Sequence, residues 1–367
     1  LRENLDPARL LKLAQATKAG AALSGADKEL FDAALPALIK AVVDVAPELK
    51  GFAGASTAEI LTRIDKLTPA KADHSEWEAA YLAHIVAEHN HLELFGSELE
   101  ENAKRLDLGR AYVGLRVAGG REHEAGQTTI SVETLLQRLA HIDKGNAGRA
   151  VVLGAAGSGK TTLLRWAAVT AAQQDKRPPL FEADGRAKKR DWRTQVPFII
   201  RLRDTGHLPG IDDWATGCAK TFGAPPAGWV RQVLSDGRGL VMIDGVDEIA
   251  AFDRAVCAQT IGQLAAAYPQ SAFIVTSRPA AVGEGWLGEH GFDDAEIDGL
   301  AGIDQDELID KWFKAVKPKH GATPAALAER LRVKLRQTPR LALLANNPLM
   351  LAMLCALFYR TPESMPD

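Results

Sequence analysis

Gly154-Ala155-Ala156-Gly157-Ser158-Gly159-Lys160-Thr161 satisfies the pattern GxxxxGK[ST] at every fixed position. Those residue types at that spacing suit one chemistry, the holding of a polyphosphate. Glycines let the backbone wrap closely and aim successive N–H groups at phosphate oxygens. A helix starting at the end of the loop adds its partial positive charge. Lys160 supplies a compact cation for the β- and γ-phosphates, and the Thr161 hydroxyl is a ligand for Mg²⁺, with Thr162 next to it. A glycine-rich turn with a surface lysine would not explain the apolar run at 150–153 before the loop or the helical pattern from Thr161 after it.

Two further constellations complete this chemistry. Leu240-Val241-Met242-Ile243-Asp244 is an apolar run ending in a carboxylate. In open parallel sheets ligands bind at the carboxyl ends of strands, so Asp244 is expected beside the phosphate loop, holding Mg²⁺ through water. Gly245-Val246-Asp247-Glu248 follows, with Glu248 placed to orient or deprotonate an attacking water and Asp247 supporting it. Without the loop, three acids after a strand would equally read as a solvated turn. The third piece, Phe273-Ile274-Val275-Thr276-Ser277-Arg278-Pro279, is again a buried strand running into polar groups. If it lies between the phosphate-loop strand and the Asp244 strand, Arg278 points toward the γ-phosphate and reports its presence; otherwise it is a surface arginine.

These groups need a scaffold, and its pattern is visible. Short, near-continuous apolar runs at 150–153, 196–202, 240–243 and 272–276 alternate with helical stretches of ten or more residues. That alternation specifies a parallel three-layer α/β domain with strands covered on both faces. Upstream, helix follows helix: Asp6-Pro7 starts one, and Ser56–Glu59 and Ser75–Glu78 are capping boxes. Strand signals are absent before 111–117. Beyond Leu300 they vanish again, and 304–316, 324–337 and 348–359 read as helices. The expected division is an α-helical N-terminal domain (1–108), a lead-in strand, linker and helix (109–148), a nucleotide-binding domain (149–300) and a C-terminal helical domain (301–367).

Composition narrows the function class. The chain has 367 residues, 44 basic against 47 acidic, for a net charge of −3. That balance argues against a surface built throughout for nucleic acid. Three dispersed cysteines without a CxxC pair support neither a disulfide framework nor a zinc knuckle. No signal segment opens the sequence, so the cytoplasm is the default, and the missing initiator Met hints at residues upstream. Residues 341–359 carry no charge, but Asn346-Asn347-Pro348 in their middle favours two capped helices over a membrane span. Other signals carry little chemistry. His84, His89 and His91 have the wrong spacing for HExxH, and Glu88-His89-Asn90-His91 only imitates a nuclease signature. The basic cluster at 186–193 is a solvated loop or a partner patch, and 205–228 reads as core plus turns.

The motifs in order resemble the NACHT family. Val151-Val152-Leu153-Gly154 through Lys160-Thr161-Thr162-Leu163-Leu164-Arg165 is similar to its phosphate loop, and Leu240 to Glu248 to its acidic strand end. Thr276-Ser277-Arg278-Pro279 resembles its sensor arginine motif, and Asn347-Pro348-Leu349-Met350-Leu351 the proline-bearing segment beside the nucleotide. Tyr112-Val113-Gly114-Leu115 resembles the lead-in strand, with glycine for the usual proline. The resemblance implies an α/β P-loop NTPase with an ASCE/AAA+-like sheet, flanked by the helical domains, and adds Tyr112, Val113 and Pro348 to the cofactor site. It implies a signal-transducing ATPase of the STAND class that rests as an ADP-bound monomer, exchanges to ATP on sensing, self-associates and hydrolyses slowly with Mg²⁺. Bacterial relatives act against phage. It also implies a winged helix and a sensor region beyond Asp367, so the chain reads as a fragment whose sensor ligand or phage component would act elsewhere. The N-terminal helices read as partner- or effector-binding. No Asn-Lys-x-Asp guanine reader follows any of the six asparagines, which favours ATP over GTP. A remodelling ATPase with continuous turnover, a nucleotide-dependent kinase and an interaction scaffold remain the alternatives.

Overall fold

A computed structural model describes residues 74–93, 105–108, 112–119, 129–173, 190–218, 223–316 and 323–360. The helix start at Asp6, the capping box at Ser56 and most of the basic cluster lie outside the described residues. In chain order the elements that position the site are α1 (Ser75–His89), β1 (Arg116–Gly119), β2 (Thr129–Ser131), α2 (Val132–Ala140), β3 (Arg149–Leu153), α3 (Lys160–Ala172), β4 (Val196–Arg201), α4 (Trp229–Ser235), β5 (Gly239–Asp244), α5 (Arg254–Ala267), β6 (Ala272–Ser277) and β7 (Asp293–Ile297). The C-terminal helices are α6 (Gly302–Ala315), α7 (Pro324–Gln337), α8 (Pro339–Ala345) and α9 (Pro348–Arg360).

The strands form a seven-stranded sheet in the order β2-β1-β7-β3-β6-β5-β4. The five strands from β7 to β4 are parallel, whereas β1 and β2 extend the sheet antiparallel. β6 therefore lies between β3 and β5, which brings three strand ends, with their polar termini, side by side. Every residue of β5 and β6 is buried, as a strand covered on both faces requires. Their apolar runs are continuous for that reason. β7 differs: Asp293-Asp294-Ala295-Glu296-Ile297 buries only Ala295 and Ile297, so it carries no continuous run. The lead-in residues 112–115 belong to no strand, and ladder pairing starts only at Arg116.

α1 packs on α3, against the α/β unit. Trp77 and Tyr81 stack on one another and meet Trp229 edge-on. Tyr81 donates to the carbonyl of Pro197 at 2.8 Å, and Arg238 pairs with Glu78 at 2.8 Å. This corrects the sequence-based division, which put the helix in the domain 1–108: its aromatic face is part of the nucleotide-binding core. β4 is an edge strand, and Pro197 sits on its outward side, where the missing N–H costs no ladder bond.

α6 to α9 pack on one another as a helical unit. Pro324 occupies the first turn of α7, and Thr323 caps it by accepting from Ala326 N. The uncharged stretch 341–359 divides into α8 and α9, and no helix among the described residues is long and apolar enough to cross a membrane.

Candidate functional site

The loop 154–159 joins β3 to α3, and its turn depends on glycine. Gly157 (φ +75°) and Gly159 (φ +93°) hold left-handed conformations that side chains resist. Lys160 folds back so that Nζ donates to Gly154 O at 2.6 Å and Ala155 O at 2.9 Å. Burial pulls the Lys160 ammonium below the usual lysine value, while Asp247 and Asp244 pull it up. The cation is thus held inside the loop, facing acids.

Asp244 ends β5 and is nearly buried. Its two oxygens accept from Thr161 Oγ1 at 2.8 Å and from Thr276 Oγ1 at 2.5 Å. Thr276 in turn accepts from Gly245 N at 3.0 Å. A hydroxyl and a carboxylate meeting at the mouth of a loop of N–H groups are the hard oxygen donors that Mg²⁺ takes beside a polyphosphate, so these residues fit that ion.

The acids after Asp244 are each matched with an arginine. Arg278 binds Asp247 through Nε at 2.8 Å and through its own backbone N at 3.2 Å. Arg203 grips Glu248 with a forked pair, Nε to Oε2 at 3.0 Å and a second N–H to Oε1. Asp247 therefore partners Arg278 rather than Glu248. Arg254 donates to Asp247 O, Ile249 O and Ala281 O, which ties the turn after β5 to the turn after β6.

These groups line a cleft of about 430 Å³, within the range of small-molecule sites. Apolar side chains complete the lining: Tyr112, Val113 and Leu115 from the lead-in segment, Leu308 and Trp312 from α6, and Pro348 and Leu349 from α9. Tyr112 stacks on Trp166, with ring centroids 4.4 Å apart. Lys311 of α6 donates to Tyr112 O at 2.5 Å. Ala156, Gly157, Ser158, Gly159, Lys160, Thr161, Thr162, Asp244, Asp247, Glu248, Arg278, Tyr112, Val113 and Pro348 all line the cleft. Gly154 and Ala155 are not in its wall; their carbonyls hold Lys160 instead.

Sequence reasoning missed Arg203, Lys311 and Trp312, and it placed Thr276 and Asn347 in motifs without giving either a role. Arg203 had a usable signal, because it follows the carboxyl end of a parallel strand, as Asp244 and Arg278 do. Lys311 and Trp312 had none. The discounted histidines lie elsewhere: His84 pairs with Glu88 at 2.9 Å, and His89 is the buried last residue of α1. Among the described residues no group of three or more His, Cys, Asp or Glu side chains is placed to hold a metal ion.

The NACHT domain family model matches residues 149–316, from the start of β3 to just past the end of α6. Residues 149–316 are a NACHT domain. The NACHT domain is a P-loop NTPase, so nucleotide binding and hydrolysis are its general chemistry. Among solved structures, the chain is similar to Cdc6p from Pyrobaculum aerophilum, with 15% identity and a TM-score of 0.35 over 62% of this chain and 60% of that one. No curated protein matches.

Proposed function

We propose that this NACHT protein is a slowly hydrolysing ATP/ADP switch. The reading rests on one observation: the phosphate loop and the helices α6 and α9 line a single cleft together. A nucleotide in that cleft touches both, and only such a differential contact can shift a two-state equilibrium. In this account the loop N–H groups and Lys160 hold the phosphates, and Thr161 and Asp244 hold Mg²⁺. The ion, when bound, neutralises charge on the phosphate oxygens. Tyr112, Val113 and Pro348 take the apolar end of the nucleotide. Glu248 accepts the proton of the attacking water as its oxygen bonds to the γ-phosphorus and the bridging P–O bond breaks. Arg203 must first release Glu248 for this step, which suits slow turnover. Arg278, resting on Asp247, lies where it can respond to the γ-phosphate.

The wider role belongs to the same proposal. Exchange of ADP for ATP frees the helical wall, self-association follows, and the setting is bacterial defence against phage. A sensor ligand and a partner of the N-terminal helices complete the circuit. The test is to identify nucleotide retained through purification and to measure turnover without any trigger. Bound ADP with slow turnover is the expected result. Rapid ATP hydrolysis by the unstimulated protein would replace the switch with a continuously working remodelling ATPase.

A further inference from the structure

Asn347, between α8 and α9, uses both ends of its side-chain amide. Its Oδ1 accepts from Leu349 N at 3.0 Å and from Met350 N at 3.3 Å, capping α9. Its Nδ2 donates to Ala156 O at 2.9 Å, inside the phosphate loop. Leu349 N also approaches Gly157 O at 3.3 Å. On the other side, Asn346 is fastened toward α6: its carbonyl accepts from Leu300 N at 2.8 Å and its Oδ1 from Gln305 Nε2 at 2.8 Å.

The loop is shaped for this contact. Gly157 holds φ +75°, so the turn of the loop already favours glycine there. A Cβ at that position would lie 2.8 Å from Leu349 Cβ and 2.9 Å from Asn347 Oδ1. The arriving helix adds a second, independent demand for glycine. The peptide plane adds a further link. Ala156 C=O and Gly157 N–H belong to one planar trans unit and point in opposite directions. A bond from Asn347 to the carbonyl therefore also sets the direction of an N–H group in the wall of the cleft.

Building on the nucleotide-binding reading above, we infer that Asn347 is a positioning residue that makes docking of α9 and binding of phosphate a single equilibrium. Docked α9 presets the loop, and a loop occupied by a nucleoside diphosphate holds α9. Linkage requires both effects to have the same magnitude.

The test uses the full chain and two substitutions that keep an oxygen to cap α9 but remove the amide group that reaches Ala156 O, Asn347→Asp and Asn347→Ser. The measurements are affinity for Mg²⁺-ADP and Mg²⁺-GDP, and amide hydrogen exchange at 155–160 and 348–360 with and without nucleotide. Both variants are expected to lose about 10-fold in affinity, as one hydrogen bond implies. They are also expected to lose the nucleotide-dependent slowing of exchange at 348–360, with the serine variant keeping a near-wild-type melting temperature. Wild-type affinity together with wild-type slowing in both variants overturns the inference. So does exchange that is faster by the same factor with and without nucleotide, which is the mark of a cap alone. If the wild-type chain binds neither nucleotide, the nucleotide reading itself falls and takes this inference with it.

Discussion

Lys160 and Glu248 carry opposite charges into the same cleft, and each is held by a partner it must leave or share when the nucleotide is engaged. For Lys160 the partners are loop carbonyls, and for Glu248 the Arg203 guanidinium. Lys160→Ala removes a charge-assisted contact worth about 1.5–3 kcal/mol. Nucleotide affinity should therefore fall by roughly 10- to 150-fold in a titration, and an unchanged dissociation constant would sink the phosphate-loop assignment. Glu248→Gln keeps the shape of the side chain and removes the base. Hydrolysis should slow by about 10²- to 10⁴-fold while nucleotide is still bound; turnover at the wild-type rate would remove Glu248 from that role. The loop residues were legible in the sequence because their partners are their own neighbours. Arg203 and Lys311 were not, because they meet partners 45 and 199 positions away, and only the fold brings those together.

Strands that are covered on both faces can be read from sequence, and half-covered ones cannot. Val241, Met242 and Ile243 run together because helices cover both sides of β5, whereas Asp293, Asp294 and Glu296 conceal β7. Helix α1 was legible as a helix from its Ser75–Glu78 start, yet its address was not, since the aromatic partners of Tyr81 outside its own helix, Phe198 and Trp229, lie beyond position 190 in the chain. Two measurements probe that address. Tyr81→Phe deletes a buried hydroxyl and leaves the Pro197 carbonyl without its donor, for an expected loss of about 1–3 kcal/mol in chemical denaturation; a change near zero would mean that α1 is not seated there. His89, on the same helix, is pushed down to about 4 by burial, with Arg165, Arg201 and His84 adding to the effect against the pull of Glu88. The unfolded chain, near the ordinary value of about 6.5, binds this proton while the folded one refuses it. Stability should therefore drop as pH falls from about 6.5 to about 4, and this group contributes no slope above that window. His89→Gln should flatten the decline in melting temperature between pH 7 and pH 5; an equally steep decline would assign it to other groups.

At the level of the whole molecule, a ligand that bridges the phosphate loop and the helical wall stabilises everything joined by that bridge. Adding Mg²⁺-ADP at about 100 times its dissociation constant should stabilise the fold by about 2.7 kcal/mol, seen as a single upward shift of the melting transition. A second transition that stays in place would show that the helical unit melts on its own. The two borders of the sheet constrain how such molecules can meet. At one, Pro197 offers no N–H and its carbonyl is already taken by Tyr81; at the other, β2 spans only three residues before turning into α2. Both are poor templates for an incoming strand. Copies brought together at high concentration thus have little opportunity to zip into extended sheets through these borders.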